Sequence, residues 1–533
     1  MTSLWPKLEE LLINVEKPAR YIGLERGALQ PPHEADSVAW LLTYPDVYEV
    51  GFPNQGLQIL YEIINEMPTG EAERAYAPWV DLEKILREKG IPLFSVDTHR
   101  PAHEFDVIAF NLSSELVYTN VLNCIDLAGI PLRSKHRNLE HPLVAAGGHC
   151  TYNPEPLAEF IDFFVLGDGE EVISELTDII SCWKGTKKEP KSRYELLRRL
   201  SEIEGVYVPA LYTITNDEKG HQTLAPKHDG VPKIIEKRTI ANLDDWPYPK
   251  TQLVPITEVV HDRLNVEVFR GCTRGCRFCQ AGMITRPVRE RSLDQVRTMV
   301  STGLRRTGYD QVALTSLSTA DYSHIEKAVA SVGEDPLSCG QTSVSLPSLR
   351  VDAFTVGIAA TIQGVKRTGL TFAPEAGTWR MRQVINKLIT EEDLYGAVES
   401  AFSQGWRRVK LYFLIGLPTE TDEDTLGIAD LAKNCVEIGR KYTKNASVTV
   451  SVGGFVPKPF TPFQWFGQNT TSELQRKVNL VKDATSRMRG VQLKWHDPKA
   501  TVIEGVLSRG DRALADLIEE VWNAGGTFQE WSE

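Results

Sequence analysis

Three cysteines, Cys272, Cys276 and Cys279, stand in C-x3-C-x2-C spacing within the segment NVEVFRGCTRGCRFCQAGM. Thiolates bind cluster irons, and three of them on one short loop suit three corners of a [4Fe–4S] cube. The fourth iron is then left without a protein ligand. An open iron can chelate the amino and carboxylate groups of S-adenosylmethionine, and one electron from the reduced cluster can cleave the sulfonium. Gly271, Gly275 and Gly282 suit a loop whose backbone packs closely against sulfide. Two other chemistries use the same side chains. A structural zinc site shows paired C-x2-C units or a histidine partner, and neither lies nearby. A four-cysteine electron carrier needs a fourth neighbouring thiol, and the next in sequence, Cys339, is remote. The other five cysteines, Cys124, Cys150, Cys182, Cys339 and Cys435, are scattered singly and read as plain buried thiols.

A loop of this kind needs a rigid frame. From about His261 to Val502, β-type runs alternate with helical stretches: NVEVFRG, QVALTSL, TSVSLPSL, GLTFAPE, RVKLYFLIG and SVTVSVGGF are the expected strands. Six βα steps predict a partial barrel with its chemistry at the strand carboxyl ends. An earlier series, from Val38 to about Ile180, has the same rhythm in SVAWLLTY, IPLFSV, DVIAFNLSS, PLVAAGGH and DFFVLGDGE, which predicts βαβ units on a parallel sheet. Ligands of such sheets sit at the strand carboxyl ends. The turns there are Ser113-Ser114-Glu115, Gly147-Gly148-His149 and Gly167-Asp168-Gly169-Glu170.

The expected organisation is an N-terminal helical segment (1–37), a doubly wound α/β domain (38–182), a connector with a lysine-rich stretch after Trp183 (183–260), the partial barrel (261–502) and a C-terminal helical segment (503–533). With 533 residues the chain can bury more than one full core. No apolar run nears the roughly 20 residues that span a bilayer. The first residues lack the layout of a signal peptide, so the protein is expected in the cytoplasm. A net charge of −12 argues against broad non-specific binding to nucleic acid, without excluding a local basic patch.

The cysteine segment resembles the radical S-adenosylmethionine (radical SAM) superfamily, whose hallmark is a C-x3-C-x-aromatic-C loop after the first barrel strand, with Phe278 at the aromatic position. That resemblance implies contacts to S-adenosylmethionine from Phe278, Ser316 and Ser318, Arg350, Glu375, and Gly416 with Pro418 at the fifth strand. The upstream series resembles the cobalamin-binding domain that precedes many such barrels, implying Ser113, Ser114, Gly147, Gly148, Gly167 and Gly169 near cobalamin. It departs from the D-x-H-x-x-G pattern that supplies a lower histidine ligand. The near match, Asp97 to Ala102, ends in alanine, comes late in the fold and is expected as a surface turn.

Together with KWHDPKATVIEGVLSRGDRALADLIEEVWNAGG near the end, the layout resembles a bacterial family of cobalamin-domain radical SAM proteins of unassigned substrate, whose members usually run longer past TFQEWSE. Trp495, His496, Asp497, Glu504, Arg509 and Asp511 are candidates to face substrate. The resemblance implies reductive cleavage of S-adenosylmethionine, radical chemistry on an unknown substrate and cobalamin-dependent methyl transfer as one outcome. It also implies an external electron donor of flavodoxin or ferredoxin type. Two alternatives are a non-catalytic cobalamin or cluster sensor and an RNA-modifying enzyme, although no dedicated basic RNA-binding module is evident.

Overall fold

The computed structural model describes the chain except residues 1–2, 32, 35, 186–191, 220–221, 335–341, 347–350, 352–369 and 529–533. Arg350 and Cys339 lie outside the described residues. The chain divides into two compact units. One comprises Met1–Ala241, Tyr248–Asp262 and Leu507–Glu533, and the other Asn242–Pro247 and Arg263–Val506.

The first unit is built on β1 (Val38–Tyr44), β2 (Gly70–Tyr76), β3 (Val107–Asn111), β4 (Leu143–Gly147), β5 (Phe163–Val165) and β6 (Val206–Tyr207). Their order is β2-β1-β3-β4-β5-β6, parallel throughout except for β6. Every residue of β1, VAWLLTY, is buried, as a central parallel strand covered on both faces requires. Most of the stretch expected as a connector belongs to this unit, with Asn242–Pro247 in the other. It contributes β6 and a hairpin of β7 (Tyr212–Asn216) with β8 (Gln222–Pro226). The N-terminal helix is one short turn, Trp5–Leu8, followed by a 3-10 turn at Leu12–Asn14. Of the cysteines read as buried, Cys124, Cys150 and Cys435 are, whereas Cys182 is exposed.

Two expectations are corrected here. The apolar run Ile91–Val96 is no strand beyond a single bridge from Phe94 to Pro101, and the sheet's edge is instead the charged segment GEAERAY of β2. The Asp97 turn is not at the surface: Asp97, His99 and Arg100 are all buried. One network explains both. Arg74, fully buried, donates to Glu25 Oε2 at 2.9 Å and Asp97 Oδ1 at 2.7 Å, while its backbone N–H donates to Asp97 Oδ2 at 2.7 Å. Tyr48 and Tyr61 donate their hydroxyls to the same two carboxylates. Burial works against both carboxylates, yet Arg74 draws Glu25 below its ordinary range, whereas Asp97 stays above it. Beside them His33 lies between Glu71 (3.3 Å) and Glu73 (3.2 Å). Charges sit inside this edge because each carboxylate meets a donor under the N-terminal segment.

Among the described residues the second unit carries seven parallel strands. β9 (Leu264–Glu267), β12 (Gln311–Thr315) and β13 (Ser343–Ser345) form one arc in the order β13-β12-β9. β14 (Leu370–Glu375), β15 (Arg408–Ile415), β16 (Ser447–Gly454) and β17 (Val491–Trp495) form the other. β10 (Phe269–Arg270) and β11 (Arg289–Glu290) make a short antiparallel clasp. Six of the seven match segments read from the sequence. β17, VQLKW, is the addition; it is short and none of its residues is fully buried. Alternate residues of each strand face the helices, and Leu346 packs against the cores of both arcs.

The turn after β14 is tied to the helix Asp422–Arg440 through Asp424. That carboxylate completes a capping box with Thr421 and also takes Arg380 and the Thr378 hydroxyl. Burial favours the protonated acid, but these bonds outweigh it and hold the carboxyl at about 2. A depressed carboxyl stabilises the fold above the ordinary carboxylate range, and that contribution is lost as pH falls from about 4 to about 2.

Two stability outcomes are expected. Arg74→Met should cost about 3–5 kcal/mol, read from denaturant midpoints, because it strands two buried carboxylates; a loss below about 1 kcal/mol would remove the network as the anchor of β2. Asp424→Asn should cost about 1–2 kcal/mol near neutrality, the scale of a lost cap, and flatten the acid limb below about pH 4. An unaltered acid limb would contradict the Asp424 assignment.

Candidate functional site

The loop carrying the three cysteines leaves β10 and returns at β11, where Phe269 faces Glu290 and Arg270 faces Arg289. Gly271 turns the chain with φ +93°, and a Cβ there would stand 2.5 Å from the Pro287 carbonyl oxygen, so only glycine fits. Cys279 begins the helix Gln280–Ile284, its Sγ accepting the Gly282 N–H at 3.3 Å. A Cβ on Gly282 would lie 3.5 Å from Cys279 Sγ and 3.9 Å from Cys272 Cβ, within the space these thiols border. All three thiols are partly exposed. Burial pushes Cys279 up, with the Gly282 N–H and Lys387 opposing and Cys272 and Glu375 adding to the rise. Among the described residues no three His, Cys, Asp or Glu groups converge as ligands of one metal ion. Corner thiolates of a cube stand farther apart than such ligands do. Soft donors, a glycine-lined space and partial exposure together suit a cluster.

The loop's backbone is pinned from outside. Arg277 donates its N–H to Ile385 O at 3.0 Å and its guanidinium to Val384 O, and Asn386 donates to Gly275 O at 3.0 Å. Phe463 N–H donates to Arg277 O at 3.2 Å, and Arg286 Nε reaches Cys272 O and Gly282 O. Phe278, read from the sequence as a cofactor contact, packs against a core of Ala376, Met381, Ile385, Leu417, Phe455 and Phe463. Its ring anchors the loop to the ends of β14, β15 and β16.

The strand-end candidates fall around the same loop. Ser316 Oγ accepts the Ser318 N–H and donates to Thr319, while Ser318 Oγ donates to Asp321 at 2.6 Å. Asp321 also takes Arg274 Nε at 2.8 Å, so the end of β12 is coupled to the cysteine loop. Glu375, at φ +69°, accepts Lys387 Nζ at 2.9 Å. Gly416, at φ +77°, donates its N–H to Glu420, which pairs with the buried Lys477 at 3.0 Å; Pro418 lies inside this turn. Burial raises Glu420 while Lys477 opposes it. Asp321, Lys387, Asn386, Glu420 and Lys477 escaped the sequence reading. The spacing of Gly416 and Glu420 across one strand-end turn was the only local sign of any of them.

In the first unit the topological switch lies between β1 and β3, where a crevice opens in such sheets. There the Tyr44 hydroxyl and Ser113 Oγ are 2.6 Å apart, and Ser114 caps the turn that follows. Gly147 is level with Asn111, and nothing lies within 4 Å of where its Cβ would be. Gly148 and Gly167 have structural duties as well: their Cβ positions meet the Leu112 and Arg238 carbonyl oxygens at 2.7 and 2.0 Å. Gly169 sits against Leu60. His99 is held in the protein interior, its Nε2 2.9 Å from Tyr21 O.

The C-terminal candidates do not form one group. Trp495 lies under Lys482, Asp497 receives the N–H groups of Lys499 and Thr501, Glu504 pairs with Lys458 at 2.7 Å, and Asp511 caps Ala513. His496 donates its N–H to Val452 O. Arg509 and Asp511 belong to the first unit, and Trp495, His496, Asp497 and Glu504 to the second.

A family model described as radical SAM proteins, N-terminal, matches residues 56–209, and that of the radical SAM superfamily matches residues 266–432. An uncharacterized protein, MJ0966 of Methanocaldococcus jannaschii, is 27% identical over 436 residues, covering 81% of this chain and 84% of that one. Among solved structures, the radical SAM methyltransferase TsrM from Kitasatospora setae, with cobalamin and a [4Fe–4S] cluster bound, superposes with a TM-score of 0.56 at 13% identity. The match covers 92% of this chain and 100% of TsrM. The cobalamin-dependent radical enzyme OxsB, with aqua-cobalamin bound, gives a TM-score of 0.50 at 12% identity, covering 85% of this chain and 62% of OxsB. These likenesses show a shared fold, an α/β domain followed by a partial barrel. With two radical SAM family models matched in order and a three-thiol loop at the head of the barrel, the chain belongs to the radical SAM superfamily and is an enzyme whose cofactors are a [4Fe–4S] cluster and S-adenosylmethionine.

Proposed function

We propose that this protein is a cobalamin-dependent radical SAM enzyme in which Cys272, Cys276 and Cys279 hold the cluster, with methyl transfer to a substrate carbon as its reaction. The observation that carries the reading is the loop itself: three partly exposed thiols on a backbone pinned by Phe278, Arg277 and Asn386, with Gly282 leaving room between two of them. When bound, cluster and S-adenosylmethionine supply a 5′-deoxyadenosyl radical after one-electron reduction. The chain's own residues bind and orient. Ser316, Ser318 and Glu375 stand at strand ends beside the loop and are assigned to S-adenosylmethionine, with the turn at Gly416 and Pro418 flanking its base. Lys387 holds the Glu375 carboxylate in place.

In the first unit, Ser113, Ser114, Gly147 and Gly148 are assigned to cobalamin, supported by the open space over Gly147 and by the fold shared with TsrM and OxsB. His99 is committed to the interior, so cobalt takes no lower histidine from the Asp97 turn. The reducing electron comes from a separate flavodoxin- or ferredoxin-type protein. The segment Gly271–Arg289 supports this partner: it carries four arginines and no carboxylate in a chain of net charge −12, and Arg277 and Arg286 are exposed on it.

Replacing Cys272, Cys276 and Cys279 together with alanine should abolish the brown chromophore and the iron of anaerobically prepared protein; retained iron would sink the cluster assignment. Cys339→Ala should leave both intact. Glu375→Gln should weaken S-adenosylmethionine binding about tenfold at full cluster content, the scale of one charge-assisted hydrogen bond. Cluster-replete protein given dithionite, S-adenosylmethionine and cobalamin should release 5′-deoxyadenosine with S-adenosylhomocysteine beside it. Release of 5′-deoxyadenosine alone, with substrate converted, would rule out methyl transfer.

A further inference from the structure

The helix-free face of the second unit is polar. In each strand the residues packed on helices are apolar, and those on the opposite face are polar or small, with Leu414 the exception among the described residues. A closed eight-stranded barrel fills this space with bulky branched side chains. Here the register sets Lys410 beside Thr449 and Thr449 beside Gln492. One row further along, Tyr412 is beside Ser451 and Ser451 beside Lys494. Lys410 Nζ sits 4.2 Å from the Tyr412 ring centroid and donates to its hydroxyl at 2.6 Å.

On the β14 to β17 part of this face the charge is one-sided; Glu267 of β9 shares the face and pairs with Arg270 at 3.0 Å. β14 to β17 contain three cations, Arg408, Lys410 and Lys494, and one carboxylate, Glu375, which is occupied by Lys387. Among the described residues neither Lys410 nor Lys494 has a carboxylate partner. S-adenosylmethionine does not supply the missing charge, since its sulfonium is itself a cation and its carboxylate goes to iron. We infer that the interior of the partial barrel binds a small anionic substrate, one bearing a phosphate or carboxylate that meets Lys410 and Lys494 while Thr449, Ser451 and Gln492 take its polar groups. This rests on the radical enzyme reading above and names the substrate class of that site. An apolar chain would find only Leu414 and the Tyr412 ring to bury against on these strands.

Inorganic pyrophosphate is the probe. Titrated calorimetrically into anaerobic, cluster-loaded protein with S-adenosylmethionine present, it should bind saturably. Lys410→Gln and Lys494→Gln should each weaken it at least tenfold, and the double variant should abolish it. Lys444→Gln, on an exposed turn, should change nothing. Iron content and S-adenosylmethionine affinity measured on the same samples separate a failure of the radical enzyme reading from a failure of this inference. No pyrophosphate binding by cluster-loaded, S-adenosylmethionine-binding protein, or undiminished binding by the double variant, would overturn the anionic class. Tighter binding of a single-stranded oligoribonucleotide with the same dependence on both lysines would overturn a small molecule in favour of nucleic acid.

Discussion

Phe278 packs its ring against Ala376, Leu417 and Phe455, and both it and the thiols on either side of it are partly exposed. That single insertion ties a loop arising after the first strand of one arc to the carboxyl ends of three strands of the other. A three-thiolate loop must be rigid enough to hold its donors apart and open enough to leave one iron uncovered. The Asn386 side-chain amide and the Phe463 N–H, each donating to a loop carbonyl, and the close contact at Gly271 supply the rigidity. A mobile loop would pay conformational entropy each time the donors converged.

The first unit meets a different constraint. Its edge strand carries Glu71, Glu73 and Arg74 into the interior, where unpaired charge is heavily penalised. Glu25, Asp97, His33 and Arg100 converge on them from segments far apart in sequence. The covering of β2 by the N-terminal segment is therefore electrostatic as much as apolar. It draws in the one histidine that local sequence offered to cobalt.

Charge is divided unevenly along the chain. A strongly acidic total coexists with a carboxylate-free cysteine loop and with lysines on the open face of the barrel. Both regions are places where electrons or anions are expected to arrive, and the surrounding acidity keeps unrelated polyanions away. The lining also sets this barrel apart from a closed one: faces that a closed barrel would pack with branched side chains here carry hydroxyl, amide and ammonium groups.

The cysteine spacing, six of the barrel strands and the parallel rhythm of the first sheet were legible because each is local: a loop's ligand set, a period of two, a continuous buried run. Tertiary structure alone decided that GEAERAY, not IPLFSV, is a strand, since a charged edge becomes tolerable only when distant carboxylates and arginines close over it. It decided that Phe278 is an anchor, that VQLKW joins the sheet beside β16, and that Lys387 and Lys477 serve Glu375 and Glu420. Sequence by itself determines which atoms can hold iron. Which carboxylates are held, which lysines are left unpaired and which face stays open depend on contacts between residues tens to hundreds of positions apart, and no local pattern encodes them.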